Sequence, residues 1–166
     1  MLSELKHRAL TGFEDLSPHE MNVVLHAART LQTAARAGAV KPLLRGRNIA
    51  LMAESIEDRP GRLFCRAATE LGAHVAHIRP SLSQLATPAE VRHTARILGR
   101  LYDAIACQGM SAADVRRIRS DAGVPVYENV AGDDHPTAGL ADRVGGEDPP
   151  EDNRRYVLQA VLLTLA

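Results

Sequence analysis

Gly46-Arg47-Asn48-Ile49-Ala50-Leu51-Met52-Ala53-Glu54-Ser55-Ile56-Glu57-Asp58-Arg59-Pro60-Gly61-Arg62 runs on through Leu63-Phe64 and Ala67-Ala68 to Leu71-Gly72-Ala73-His74-Val75 and Ile78. Asn48–Met52 is a short, mostly apolar run, the pattern of a strand covered on both faces. Leu63, Phe64, Ala67 and Leu71 recur at helical spacing, and Gly72 closes that helix. His74–Ile78 reads as a second strand. Strand, helix and strand in this order make a parallel pair with a right-handed crossover.

The same alternation extends outward. Ala104–Cys107 and residues 125–128 are two further strand-like runs. Ser17-Pro18-His19-Glu20 is a capping box with proline at the first helical position, and Met21, Val24, Leu25, Ala28 and Leu31 follow on one face. Thr87-Pro88-Ala89-Glu90 repeats the device before Val91, Ala95, Leu98 and Leu101. Ser111 opens a helix carrying Val115 and Ile118, which Gly123 closes. Gly145-Gly146-Glu147-Asp148-Pro149-Pro150 has linker composition. An amphipathic helix over about 151–165 comes last, with Tyr156, Val157, Val161 and Leu165 in register. The expected fold is α/β: a four-stranded parallel sheet flanked by helices. One domain spans 1–166, with a core over 1–144, a linker over 145–150 and a returning helix over 151–166.

At 166 residues the chain is long enough to bury a sizeable core. It is 45% hydrophobic and 24% charged, which is ordinary for a soluble globular protein. Lys+Arg and Asp+Glu both number 20, so no basic excess points to nucleic acid. No apolar run has spanning length and the start has no signal-peptide pattern, so neither a membrane nor secretion is expected. Cys65 and Cys107 read as small buried thiols of a reducing cytoplasm.

The quoted stretch resembles the first strand, loop and helix of the ornithine and aspartate carbamoyltransferases. There the loop carries Ser-Thr-Arg-Thr-Arg; here those five places hold Glu57-Asp58-Arg59-Pro60-Gly61. Further matches cover nearly the whole chain. Ser83-Gln84-Leu85 leads into His93-Thr94-Ala95-Arg96-Ile97-Leu98-Gly99-Arg100-Leu101-Tyr102-Asp103, similar to the family's helix before its third strand. His135-Pro136-Thr137 with Leu140-Ala141-Asp142 is similar to His-Pro-Thr-Gln-x-Leu-Ala-Asp. Glu151-Asp152-Asn153-Arg154 through Val161 is similar to the family's terminal Ala-Glu-Asn-Arg helix. The family places an amino-acid-binding domain between those last two motifs; here about a dozen residues separate them. The resemblance therefore implies a carbamoyl-phosphate-type domain with its closing helix, lacking the second domain.

The resemblance also locates a site, at the carboxyl ends of the strands where ligands of parallel sheets sit. Arg59 keeps a family arginine that binds phosphate, while Glu57 and Asp58 replace hydroxyls and repel a phosphate at close range. Pro60 removes a backbone donor and Gly61 stands for a second arginine. Gln84 is kept, but the family lysine beyond it is Pro88. Gln108 replaces an arginine after the third strand. His135, which polarises the carbamoyl oxygen in the family, and Thr137 are retained; the following glutamine is Ala138. The candidate ligand-binding residues are thus Arg59, Gln84, Gln108, His135 and Thr137, around the altered loop Glu57, Asp58, Pro60 and Gly61.

From the residues alone, Arg59 reads equally as a surface ion-pair partner of Glu57 or Asp58, and His135 as a satisfied loop or capping histidine. His74 and His77 point to opposite faces of a strand and do not share a metal. Asp133-Asp134-His135, with Glu57 and Asp58 from another loop, forms a weaker cation-compatible set. No cofactor and no metal are expected. The expected function is that of an inactive transcarbamoylase-like module for assembly, as a homotrimer, or for binding a small ligand. The alternatives are a carbamoyltransferase half served by a separate amino-acid-binding chain, or a regulatory subunit partnering a full-length transcarbamoylase.

Overall fold

The computed structural model describes residues 2–82 and 85–166. A 3₁₀ turn at Leu2–Leu5 leads into the short α1, Arg8–Thr11, and the long α2, Pro18–Arg36. Then follow β1, Asn48–Met52; α3, Arg59–Glu70; β2, His74–Ile78; α4, Pro88–Leu101; β3, Ala104–Cys107; α5, Ala112–Ala122; and β4, Val126–Glu128. After a 3₁₀ turn at Ala138–Leu140 come α6, Ala141–Val144, and α7, Pro150–Leu162, which ends in a 3₁₀ turn at Leu163–Leu165. The four strands form one parallel sheet in the order β2-β1-β3-β4.

Local chemistry sets most boundaries. Ser17 accepts from the Glu20 amide at 3.2 Å while the Glu20 carboxylate takes the Ser17 amide at 2.8 Å. Arg8 then grips Glu20 at 2.7 Å, and this bond with the capping amide holds the carboxyl down to about 2. At α4 the box is displaced by one residue: Thr87 accepts from the Glu90 amide, but the Glu90 carboxylate takes the amide of Ala86. Gly123 ends α5 in the left-handed region, at φ 69°. The fourth strand begins at Val126 rather than 125, although the Pro125 carbonyl still accepts from Ile105; proline has no amide to complete the ladder.

Two apolar cores lie on the two faces of the sheet. Ala50, Met52, Ile105, Cys107 and Val126 pack with Val91, Ala95, Leu98, Val115 and Ile118 of α4 and α5. On the other face Ile49, Leu51, Ala104, Ala106 and Tyr127 pack with α2, α3 and α7. Not all strands are covered on both faces: β2 is an edge strand, half open, with His74 and His77 exposed. Both cysteines are free, Cys107 buried and Cys65 half-buried; burial pushes the Cys107 thiol up to about 12.

The last helix differs from the amphipathic reading, because every residue from 153 to 165 is buried. It lies among α2, α3 and α6, so it has no solvent face. Most of its polar groups are bonded internally. Gln159 Nε2 donates to the Ala67 carbonyl and the Glu70 carboxylate. Asn153 accepts from Gln32, and Arg155 pairs with Asp152 and Glu70. Buried polar residues are tolerated on these terms. Among the described residues, no helix is long and apolar enough to cross a membrane.

Candidate functional site

Three loops meet beyond the carboxyl ends of β1, β3 and β4. The first has closed on itself. Asp58 is the N-cap of α3, its carboxylate accepting from the Gly61 amide at 2.8 Å. Ser55 accepts from the Glu57 amide. Gly61 is buried, and a Cβ there would stand 2.5 Å from Ile56 Cα. The loop backbone thus occupies the space a side chain at 61 needs. Gly61→Ala is expected to cost about 1–3 kcal/mol through backbone overpacking, read as a lower urea midpoint. An unchanged midpoint would mean that the loop yields freely.

Arg59 does not pair with Glu57 or Asp58. Its Nη1 donates to Asp133 at 2.9 Å and its Nε to Glu151 at 3.1 Å. Asp58 is committed to its cap, and Glu57 faces Arg62 at 3.4 Å. One guanidinium therefore ties the start of α3 to the loop after β4 and to the first turn of α7. Between α3 and α7 lies a cleft of about 300 Å³ lined by Arg59, Arg62, Arg66, Arg154 and Arg155 with Glu57 and Glu151.

The loop after β4 is shaped around two buried cationic-type groups. Asn129 adopts φ 49°, a rare backbone for a non-glycine residue, and its side chain accepts from the Gly109 amide, joining the loops after β3 and β4. Gln108 lies against Gly132, its Nε2 3.5 Å from where a Cβ on that glycine would stand. Thr137, wholly buried, donates its amide to His135 Nδ1 at 3.2 Å, and its hydroxyl lies 2.7 Å from the same nitrogen. An Nδ1 that accepts leaves the proton of the neutral ring on Nε2. That Nε2 is buried and has no partner.

Arg154 is the companion group, 5% exposed like His135. Its Nη2 donates to the Val130 and Gly132 carbonyls, while Nε and Nη1 are buried without partners. Burial lowers its pKa to about 10. Burial and the Arg154 charge, opposed by Asp134, lower the His135 pKa to about 4. The ring is therefore neutral at physiological pH, and the site presents donors without acceptors facing them.

Sequence reading gathered Arg59, Gln108, His135 and Thr137 at one sheet edge, and the structure brings these four to the loops and cleft just described. Gln84 lies outside the described residues. The reading missed Arg154, Asp133 and Glu151 as site neighbours. The available signal for Arg154 was its place in the Asn153-Arg154 part of the terminal motif, which the sequence reading matched without giving the residue a role. It also missed Glu54, which takes the Ser81 amide and hydroxyl at 2.7 and 2.6 Å. These two bonds hold the Glu54 carboxyl below its usual range and tie the loop after β1 to the segment after β2. Asp133 and Asp58 are committed elsewhere, and among the described residues no group of three or more ligating side chains could hold a metal.

His135 gives the site a pH dependence. The unfolded ring, with a pKa near 6.5, binds a proton that the folded ring refuses until about pH 4. Stability is full above pH 6.5 and falls as pH drops toward 4, by up to about 3 kcal/mol. Melting followed by circular dichroism should show this slope, and His135→Gln should flatten it. An unchanged slope in the variant would refute the assignment.

The fold is a four-stranded parallel α/β domain with a capped helix start, and arginines and buried donors gather at its carboxyl edge. Residues 8–145 match the family model for the aspartate/ornithine carbamoyltransferase carbamoyl-P binding domain, and the chain belongs to that family. It is 38% identical over 142 residues to an ornithine carbamoyltransferase of Actinobacillus pleuropneumoniae, covering 86% of this chain and 42% of that one. The Cutibacterium acnes ornithine carbamoyltransferase is 37% identical over the same length and coverage. The solved Pyrococcus furiosus ornithine carbamoyltransferase superposes with a TM-score of 0.68 at 27% identity, over 79% of this chain and 42% of that one. The catalytic subunit of M. Jannaschii aspartate transcarbamoylase shares the fold, with a TM-score of 0.66 at 22% identity over 80% and 44% of the two chains. The chain thus spans less than half the length of these relatives.

Proposed function

We propose that the chain is a ligand-binding and assembly module of the transcarbamoylase family that does not itself transfer a carbamoyl group. The observation that carries this reading is the self-filled first loop. Asp58 takes the helix amide that a phosphate would use, the Ile56 backbone fills the space beside Gly61, and Asp133 with Glu151 occupy Arg59. Electrostatic stabilisation is usually the largest catalytic term, and here the first loop's groups able to supply it are paired internally. Incubation with carbamoyl phosphate and either ornithine or aspartate is expected to give no carbamoylated amino acid. Turnover by the purified chain would overturn the reading.

One observation favours a second reading, a carbamoyltransferase half that works with a separate amino-acid-binding chain. The unpartnered donors of His135 and Arg154 remain suited to an acyl oxygen. Turnover that appears only when an amino-acid-binding chain is added would support it. A regulatory subunit of a full-length transcarbamoylase has no such observation in its favour.

The module is proposed to act in solution as a homotrimer. Family membership supports this, as do Ile97 and Leu101, two exposed apolar residues one turn apart on α4. Light scattering is expected to give three times the chain mass, and Leu101→Glu to lower it. A monomer at about 10–50 µM, a range in which contacts of −8 kcal/mol persist, would contradict the proposal.

A further inference from the structure

We propose that the wedge between α4 and α5 is a second binding site, for a phosphate-bearing small molecule. The two helices run side by side on the sheet face remote from α7. They touch closely at one end, where a Cβ on Gly99 would meet the Ala122 carbonyl oxygen at 1.8 Å. Between the first half of α4 and the length of α5 they leave a cavity of about 260 Å³ lined by Arg92, Ala113, Arg116, Arg117, Ser120 and Asp121. Ala113 is the small residue of that lining.

The charge in this wedge is only partly compensated. Arg96 is held by Asp121 at 2.9 Å, and Arg117 by Asp114 at 3.0 Å. Arg92 and Arg116 have no hydrogen-bonding or ion-pair partner for their guanidinium groups. In a chain whose formal charges cancel, cations are mostly paired. Among the described residues four arginine side chains are not: Arg45, Arg92, Arg100 and Arg116, three of them on these two helices. Six arginines face three carboxylates over α4 and α5 together.

Two free guanidinium forks in one small concavity match the tetrahedral oxygens of a phosphate group, each fork offering parallel N–H donors. The concave shape favours a compact free ligand over a flat membrane surface. The contrast with the carboxyl-edge cleft is chemical, since there Arg59, Arg62, Arg66 and Arg155 pair with the chain's own carboxylates and Arg154 donates to backbone carbonyls. At 100° per residue, Ile97 and Leu101 lie well around α4 from Arg92, so association through them leaves the wedge open.

Inorganic pyrophosphate is the probe, titrated calorimetrically into the full chain at low ionic strength. The expected result is saturable binding, weakened about tenfold or more in Arg92→Gln/Arg116→Gln, as befits the loss of two charge-assisted contacts. Both positions are exposed, and circular dichroism will confirm that the variant folds. Arg45→Gln, an unpartnered arginine elsewhere, and Arg59→Gln should bind like the parent. Absence of saturable heat at about 5 mM, an affinity weaker than millimolar, would overturn the proposal. So would equal weakening by Arg45→Gln, which marks nonspecific charge. Loss on Arg59→Gln would place the ligand in the other cleft and leave the wedge empty. Binding to vesicles with anionic phospholipid, without binding to free pyrophosphate, would also overturn it.

Discussion

Deletion of residues 150–166 is expected to leave a chain without a cooperative melt. Val157, Leu158, Val161 and Leu162 are fully buried, and Leu163 and Leu165 are nearly so. Burial of each such side chain contributes about 1.5–3 kcal/mol before entropy is subtracted. Six of them exceed much of the roughly 5–15 kcal/mol by which a domain of this size is stable. The deletion also strips Tyr127 of Thr164, 2.9 Å from its hydroxyl, and Gln32 of its bond to Asn153. It opens the core between α2 and α3, so aggregation is the expected fate. A truncated chain that melts within about 2 °C of the parent, under roughly 1 kcal/mol at this length, would show that α7 is dispensable.

The elements that sequence reading placed to the residue are those with local causes. Asn48–Met52, His74–Ile78 and Ala104–Cys107 are short apolar runs whose ends carry their own punctuation. Ser17, Thr87, Ser111 and Gly123 act through bonds to residues three or fewer positions away, or through their own backbone. What was not legible depends on distant partners. The open edge of β2 follows from strand order, which no five-residue window encodes. Arg155 and Gln159 look like a solvent face until Glu70 and the Ala67 carbonyl are brought beside them.

The site divides along the same line. Asp58-Arg59-Pro60-Gly61 contains a local signal for an N-cap followed by proline, yet its carboxylate reads as repulsive charge until the cap is seen. Arg59 finds its carboxylates 74 and 92 residues along the chain, so its neighbours in sequence gave the wrong partners. His135 and Arg154 are joined only by folding, and the loss of solvent around both creates the unpartnered donors. Motif matching located the edge of the sheet where a ligand would sit. It did not reveal that the first loop is filled by its own backbone.

That filled loop is the basis for the second large effect, the loss of carbamoyl phosphate affinity. Micromolar binding requires about −8 kcal/mol. A phosphate at the start of α3 meets an amide already taken by Asp58, a proline without a donor, and an arginine held by two carboxylates. Each existing bond must break before a new one forms, so the net gain is small. Glu57 adds a like charge at the mouth of the cleft. Isothermal calorimetry of the full chain with carbamoyl phosphate is the most direct measurement. The expected result is no saturable heat at millimolar ligand beyond that of a matched salt. Saturation with a Kd near the micromolar range would contradict the dismantled phosphate site.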